Sequence, residues 1–472
     1  MQLTSLTAFL LYIFILLSIG IFSTRKNRSA EGYILGNRGL NYWVTAISAN
    51  ASDMSVWLFM GLPMAIYKEG LIHIWTAVGL ILFMFLNWHF IAPKLRRATE
   101  HFDSLTLPTF FDRRLGTNAK SLRILGAIFS MIFLTLYVSA GITGMGYLFE
   151  SIFGLNYAIG CTAAIFAVLI YISIGGFTAV CYTDFFQGIF LLVVIISVPV
   201  LILLSDGSQS PQIIFGAISK NLWTFDTSSI LTSITLAFGW GVGYFGQPHI
   251  LNKFMAIRNP DEISKSKWLG TLWQILALGG AVLVGIAAHH FFQTPPSNAE
   301  IIFVDMVNSL FSPFFASFIL CAILAATLST VDSQILVIAS VVAEDFYGVL
   351  KKKNASDKKI ILASRLGAVA TCLIALGVAL MKISSIYELV YYCWVGMGSA
   401  FGPLVIATLY FNKLTKNAAI FGMLFGGAVG LCWIWLDSSI SATIPGFIAG
   451  GGAILLVSLY EHKTAKALSK NK

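Results

Sequence analysis

Small and polar residues interrupt one of the long apolar segments of the chain, in the stretch SANASDMSVWLFMGLP (48–63). Hydroxyl and amide side chains surround the carboxylate of Asp53, and a glycine and a proline follow closely. Such residues tolerate an unwound backbone, which exposes its carbonyl oxygens. Because ionisable groups are costly inside a membrane, the stretch predicts a functional site. The alternative is a serine-rich packing face on which Asp53 caps a helix.

The composition around this stretch is that of a membrane protein. Of the 472 residues, 57% are apolar and 11% are charged, whereas soluble proteins carry roughly 25% charged residues. Many apolar runs approach the roughly 20 residues that cross a hydrocarbon core of about 30 Å, and each must form a helix there. We predict thirteen such segments, at 5–23, 41–67, 71–93, 123–149, 156–180, 183–205, 228–252, 268–292, 312–342, 360–381, 386–410, 417–436 and 441–460.

The positions of lysine and arginine indicate how these segments are oriented. The first basic cluster, at residues 25–28, follows the first segment, which predicts an external N-terminus and a cytoplasmic first loop. With thirteen crossings, 27 of the 30 basic residues fall in cytoplasmic stretches, including 253–267. The net charge of +9 therefore follows from the topology and not from nucleic-acid binding. The same topology predicts a cytoplasmic C-terminus.

A second interruption lies in the seventh segment, in AFGWGVGYFGQPHIL (237–251). Its four glycines and Pro248 disfavour a continuous helix, since glycine costs roughly 1 kcal/mol and proline about 3 kcal/mol in a helix interior. Trp240, Tyr244 and Pro248 are spaced by four residues, so we expect helical parts to direct them to one face. That face would offer a flat apolar wall to a bound solute. The alternative is close helix packing through the glycines, with the aromatic residues as interfacial anchors.

The ninth segment carries polar side chains in the middle of an apolar helix, in LSTVDSQ (328–334). Ser329 and Ser333 lie one helical turn apart, with Thr330 beside them. Hard cations prefer such oxygen ligands, and no histidine or cysteine cluster accompanies them. The alternative is that these hydroxyl groups bond to their own helix. Elsewhere, Asp184 opens the sixth segment, either as a helix N-cap or as a gate residue.

The two interrupted segments occupy corresponding places in the chain. One begins a block of five segments (41–205), and the other begins the next block of five (228–410). Equivalent interruptions in successive blocks are typical of an inverted-repeat transporter with its site near the membrane midplane. Because each block has an odd number of helices, the two blocks run in opposite orientations. Segments 5–23 and 417–460 are then peripheral, and residues 1–472 form a single transporter domain.

These strings, together with GGFTAVCYTDFFQG and SVVAEDFY, resemble the sodium/solute symporter family and in particular its bacterial proline symporters. The resemblance implies an all-α polytopic membrane protein with a LeuT-type five-plus-five inverted repeat, one extra N-terminal helix and two extra C-terminal helices. It also implies a place in the bacterial inner membrane and sodium-coupled import of proline by alternating access. Proline symporters of the family are expected to have glycine after the serine of the DMS string, where this chain has Val56.

The resemblance also implies roles for individual residues in the matching strings. The sodium ion would be bound by the backbone carbonyls of Ala51, Met54 and Ala326 and by the hydroxyls of Ser329 and Thr330. Proline would be bound by Ser55, Tyr137, Trp240, Tyr244 and Pro248. Asp53 resembles an acidic residue that is important for sodium coupling, and Asp184 and Ser333 resemble positions of a second sodium site.

Other functions leave different patterns in a sequence. A sodium symporter for another small amino acid or organic solute would differ only in its pocket. A passive channel would need a continuous ring of polar residues along a pore. A membrane enzyme would need a catalytic string beside His289-His290, the only histidine pair, and a transporter-like sensor would need an appended signalling domain. We expect a non-enzyme that binds Na+, proline and lipid and has no nucleic-acid or obligate protein partner.

Overall fold

The computed structural model describes residues 2–470 except 24–28, 117–119, 206–226, 293, 295, 297, 351–355 and 437. These residues are almost entirely helical, and their β-structure is limited to an isolated bridge between Leu40 and Ile257. Within them, nine helices are long and apolar enough to cross a membrane, and shorter apolar helices cover Thr4–Gly20 and Tyr157–Phe166. The chain is therefore an all-α, multi-pass membrane protein, as the sequence predicts.

The described residues form the helices given next, together with several 3-10 and π turns and the short helix Gly348–Leu350. Their bounds are α1 Gln2–Ser23, α2 Ala30–Leu35, α3 Tyr42–Met54, α4 Gly61–Glu69, α5 Ile74–Leu86, α6 Ala92–His101, α7 Leu107–Leu115, α8 Lys120–Phe153, α9 Tyr157–Ser205, α10 Thr227–Gly241, α11 Pro248–Ala256, α12 Ile263–Phe291, α13 Ile302–Leu310, α14 Pro313–Val341, α15 Asp357–Met381, α16 Ile386–Tyr410, α17 Lys416–Ile434 and α18 Thr443–Lys470. The short helices α2, α7 and α13 fall between the predicted segments.

Both predicted interruptions are confirmed as breaks in the backbone. The second segment divides into α3 and α4, which are joined through Ser55 and a 3-10 turn at Val56–Leu58. The seventh segment divides into α10 and α11, which are joined by a 3-10 turn at Val242–Gly246. Each break leaves backbone groups without the usual helical partners, so other helices must supply partners for them.

The predicted boundary between the fifth and sixth segments, at residues 181–182, is wrong. The structure continues as helix through those residues, and the non-helical residue within α9 is Gly176, with φ 61° and ψ −171°. A straight helix of 49 residues would be about 74 Å long, more than twice the roughly 30 Å of a hydrocarbon core. The chain therefore divides at Gly176, where the absence of a Cβ permits this backbone geometry and the close approach of Tyr33.

The helix α14 lies at the centre of the molecule and carries polar residues at its middle. It packs against α1, α3, α8, α9 and α15, and the residues from Leu320 to Val341 are all buried. The C-terminal helices α17 and α18 pack on each other and on α16. This arrangement directs the hydroxyl groups of α14 toward the first break. The exact number of membrane crossings and the bounds of the two repeats stay predictions.

Candidate functional site

The first break is held open by a contact with α14. Ser55, which follows the last residue of α3, has φ 42°, a value that residues other than glycine rarely adopt. Its backbone N–H donates to the Thr330 hydroxyl at 3.0 Å, and its own hydroxyl accepts from the Trp57 N–H at 3.2 Å. The unusual backbone geometry is therefore fixed by one partner on α14 and one within the turn.

The predicted sodium ligands of α3 and α14 come together at this break. The Ser329 hydroxyl lies 2.9 Å from the Ala51 carbonyl oxygen and 3.0 Å from the Ala326 carbonyl oxygen. The Thr330 hydroxyl also reaches the Ala326 carbonyl oxygen, at 3.1 Å. The alternative that the hydroxyls bond to their own helix is thus confirmed for Ser329 and Thr330. These hydrogen bonds keep the oxygens close together. Each hydroxyl oxygen still has lone pairs that can accept a hydrogen bond or coordinate a cation.

The second break separates residues that were expected on one helical face. Trp240 lies near the end of α10, Tyr244 lies in the 3-10 turn, and Pro248 is the first residue of α11. The three residues therefore do not belong to one continuous helix, although the rings of Trp240 and Tyr244 both pack against Trp394, with centroids 6.1 Å and 5.1 Å away. A single face for all three residues stays a prediction. Proline suits the first position of a helix, where its missing N–H needs no partner.

Side chains from two other helices hold the second break in place. The Trp394 indole N–H, on α16, donates to the Trp240 carbonyl at 2.7 Å. The Asn87 amide donates to the Tyr244 carbonyl at 3.1 Å. Gly243 permits this approach, since a Cβ there would lie 2.0 Å from the Trp394 indole nitrogen. Close helix packing through glycine was the alternative to a break in this segment. The structure has both the break and the close packing at Gly243.

A hydrogen-bonded chain of side chains joins the two breaks. The Tyr244 hydroxyl donates to Asp53 Oδ2, and the Gln274 amide of α12 donates to the Tyr244 oxygen at 2.8 Å. The Tyr137 hydroxyl lies 3.5 Å from the Asp53 carbonyl oxygen. Asp53 belongs to the last turn of α3, so the alternative that it caps a helix is wrong. Sequence reasoning missed Gln274, although a lone amide in the apolar segment 268–292 was an available signal.

A narrow cavity lies between the two breaks and α16. Its volume is about 10 Å³, roughly the space of one water molecule, and it is lined by Asp53, Met54, Trp57, Leu80, Tyr137, Trp240, Val390 and Trp394. Of the predicted solute-binding residues, Tyr137 and Trp240 lie on its wall. Tyr244 packs edge-on against Trp394 with ring centroids 5.1 Å apart, whereas Ser55 and Pro248 lie off the wall. Trp394 was missed because it is one aromatic residue among many in an apolar segment.

Val56, which departs from the expected glycine, does not line this cavity. Its side chain is fully buried against α8, where a Cβ added to Gly144 would lie 2.6 Å from Val56 Cγ2. The valine thus fills space that the glycine of α8 leaves free. The side chain therefore points to a neighbouring helix and not into the cavity.

Asp184 and Ser333 also come together, with two residues that were not predicted. Asp184 Oδ2 accepts from the hydroxyls of Ser48 at 2.8 Å and Ser333 at 3.3 Å, and it pairs with Lys253 Nζ at 2.8 Å. Asp184 lies well inside α9, so the N-cap alternative is wrong. Lys253 was counted with the cytoplasmic stretch 253–267, but it lies in α11 and is only 1% exposed.

Two broken helices, a cluster of hard oxygens and a narrow cavity between them define a secondary transporter. The sequence model of the Sodium:solute symporter family matches residues 33–426, and the chain belongs to this family. It is 38% identical to the high-affinity proline transporter of Bacillus subtilis (strain 168) over 462 residues, 96% of this chain and 98% of that protein. It is 37% identical to the sodium/proline symporter of Escherichia coli (strain K12) over 478 residues, 98% of this chain and 95% of that protein.

Solved structures of other transporters share the fold. A Na+-coupled sialic acid symporter in a substrate-bound, outward-open state superposes with a TM-score of 0.83 at 17% identity, covering 97% of this chain and 98% of that chain. Mhp1, a nucleobase-cation-symport-1 transporter in a closed conformation, gives 0.59 at 14% identity over 93% of this chain and 96% of that chain. The LeuT-type fold that the sequence predicts is therefore confirmed.

Proposed function

We propose that the chain imports proline together with sodium by alternating access. The observation that carries the proposal is the contact of the Ser329 hydroxyl with the Ala51 carbonyl across the first break. This contact joins an unwound helix end to the hydroxyl-bearing face of α14. Sodium binds hard oxygen ligands, and this place gathers hydroxyl and carbonyl oxygens without a histidine or cysteine ligand.

The proposed sodium ligands are those that the resemblance implies. They are the backbone carbonyls of Ala51, Met54 and Ala326 and the hydroxyls of Ser329 and Thr330. Asp53 is proposed to couple the ion to the solute, because its carboxylate lies on the cavity wall and accepts from Tyr244 of the second break. A charge at that position acts on both ligands, since electrostatic interactions are weakly screened in a buried site.

The side chains that line the cavity support a compact zwitterion as the solute. Trp57, Trp240 and Trp394 supply flat apolar surface, and Asp53 supplies one carboxylate. The ring of proline would pack against the aromatic surface, and its secondary amine would face the carboxylate. The relatives that carry the name sodium/proline symporter support the same solute. The pocket is also proposed to be shaped by the side chains of Tyr137 and Tyr244. Ser55 and Pro248 are proposed to shape it through the backbone geometry of the two breaks.

The surroundings of the protein are proposed to be those of its bacterial relatives. The chain would lie in the inner membrane, with its N-terminus outside and its C-terminus in the cytoplasm, because basic residues cluster at one set of helix ends. The repeats would span 41–205 and 228–410 within one domain, since each of these blocks begins with a broken helix.

Uptake by the purified protein in proteoliposomes tests this function. We expect labelled proline to enter when sodium chloride is outside and to stay out when choline chloride replaces it. Vesicles preloaded with unlabelled proline should accumulate label transiently, which a carrier does and a passive channel does not. A panel of unlabelled amino acids and sugars should compete in proportion to their likeness to proline. Sodium-dependent uptake of another small solute, without uptake of proline, would overturn the solute and leave the symporter.

A further inference from the structure

A second buried polar cluster lies away from the cavity, around Asp184. Its carboxylate is fully buried, and one oxygen, Oδ2, accepts from three helices. The donors are Ser48 of α3 at 2.8 Å, Ser333 of α14 at 3.3 Å and Lys253 of α11 at 2.8 Å. A buried carboxylate needs a cation nearby, because its charge is expensive to remove from water. Here the chain itself supplies the cation.

The Lys253 ammonium is enclosed as completely as the carboxylate. It lies 3.4 Å from the Cys181 sulfur and 5.1 Å from the centre of the Phe177 ring, besides its pair with Asp184. An ammonium group has three donors and no acceptor, and a ring face also attracts it. These three neighbours all belong to α9, so the end of the lysine side chain is held in one place.

We propose that the Lys253 ammonium is the resident cation of the Asp184, Ser48 and Ser333 cluster. The side chain thereby fills the place where the resemblance implies a second sodium ion, and the protein binds one sodium ion at Ala51, Ser329 and Thr330. The inference rests on the proposed sodium-coupled function. A second sodium ion on Asp184 Oδ2 would lie beside the ammonium, and two like charges in a dry interior repel each other strongly.

Asp332 is a competing place for a second ion. It is fully buried beside Ser333, it interacts electrostatically with Asp184 and Lys253, and neither of its carboxylate oxygens has a hydrogen-bond partner among the described residues. One lysine neutralises one carboxylate, so a test must separate the two aspartates.

Counting the sodium ions bound to the purified protein without solute tests the proposal. With radioactive sodium at saturation, we expect one ion per chain for the wild-type protein. Lys253→Met frees the Asp184 cluster and should bind two ions, whereas Lys253→Arg keeps a tethered charge and should bind one. The double variant Lys253→Met with Asp184→Asn removes both charges and should return the count to one. Circular dichroism and size-exclusion profiles establish that each variant is folded.

Several results would overturn the proposal. Two ions on the wild-type protein would mean that Lys253 does not fill the second place, and a decrease to one ion in Asp332→Asn would locate that ion at Asp332. A count of one in folded Lys253→Met would mean that the cluster is not a cation site. If Lys253→Met fails to fold, Lys253→Gln, which also removes the charge and keeps most of the side chain, takes its place with the same two outcomes. A wild-type protein that binds one ion but imports no proline would refute the proposed solute alone.

Discussion

The two helix breaks have the same place in the two predicted repeats but different chemistry. The first, around Ser55, carries hydroxyls and a carboxylate, and Thr330 of α14 holds its backbone. The second, around Tyr244, carries glycines and aromatic rings, and Trp394 and Asn87 hold it from other helices. A break supplies free backbone groups in either case, but the neighbouring side chains decide which ligand suits it. Oxygen-rich surroundings suit a cation, and aromatic surroundings suit an apolar ring.

Besides the packing of Trp57 on Trp240, with ring centroids 5.4 Å apart, the two breaks are joined by a hydrogen bond from Tyr244 to Asp53. It joins the proposed ion site to the proposed solute site, so it is the place where the binding of one ligand can alter the binding of the other. Substitutions at either break should therefore affect mainly one ligand, and loss of the Asp53 charge at the link should affect both.

The largest effect is expected at the link. Asp53→Asn removes a charge that lies between both sites, and we expect kcat/KM for uptake to decrease about 100-fold, which corresponds to roughly 2.7 kcal/mol. Both the sodium and the proline concentrations for half-maximal uptake should rise. Initial rates at matched expression measure this, with Asp53→Glu as the charge-preserving control. An effect on one ligand only would mean that Asp53 does not couple them.

The second break should control the solute more than the ion. Tyr244→Ala and Trp240→Ala each remove a buried ring, which typically costs a few kcal/mol, so the proline concentration for half-maximal uptake should rise more than tenfold. Sodium binding without proline should change by less than about threefold. Tyr244→Phe is the matched control, because it keeps the ring and removes the hydrogen bond to Asp53. Equal losses of sodium and proline affinity in Trp240→Ala would contradict the division of roles.

The first break should control the ion. Ser329→Ala and Thr330→Ala each remove one oxygen, and a hydrogen bond or ligand to a charged group contributes about 1.5–3 kcal/mol. We therefore expect the sodium concentration for half-maximal uptake to rise about tenfold, with the maximal rate at saturating sodium largely kept. Ser340→Ala is the control, because Ser340 lies nearer the C-terminal end of the same helix and its hydroxyl donates to the Leu336 carbonyl. Unchanged sodium dependence in both variants would locate the ion elsewhere.

The smallest effect on transport is expected at Val56, which faces α8 rather than the cavity. Val56→Gly should leave the proline concentration for half-maximal uptake within about twofold and should lower the unfolding temperature, because it empties a packed space beside Gly144. Combining it with Gly144→Ala should restore part of the lost stability, since the added methyl group enters that space. A large change in solute preference in Val56→Gly would mean that the side chain reaches the solute.

The sequence was sufficient for much of the fold because membrane helices and their breaks leave strong patterns. Both interruptions were predicted from glycine, proline and hydroxyl residues, and both are present. The boundary at Gly176 was misplaced because helix continues through residues 181–182 and a single glycine makes the turn. Hydrophobicity changes little across that turn, so apolar runs alone could not locate it.

The site was less predictable, because side chains from distant segments complete it. Ser329, Thr330 and Ala51 were expected together, and they are together. Trp394 and Gln274 come from segments that look purely structural, and their contacts depend on packing that no local pattern encodes. Lys253 was misassigned for the opposite reason, since a lysine at the end of a segment is usually exposed.

The most direct test of the central claim is the accumulation of proline under an electrical potential. In proteoliposomes with equal sodium on both sides and about 100 mV, inside negative, one charge moving inward releases about 2.3 kcal/mol. At 1.36 kcal/mol per tenfold, uptake of one sodium ion with each zwitterion should concentrate labelled proline about 50-fold. Ser329→Ala should approach the same final ratio more slowly at low sodium. Two results would contradict the account. One is uptake that is undiminished when choline replaces all sodium, and the other is an internal proline concentration that never exceeds the external one.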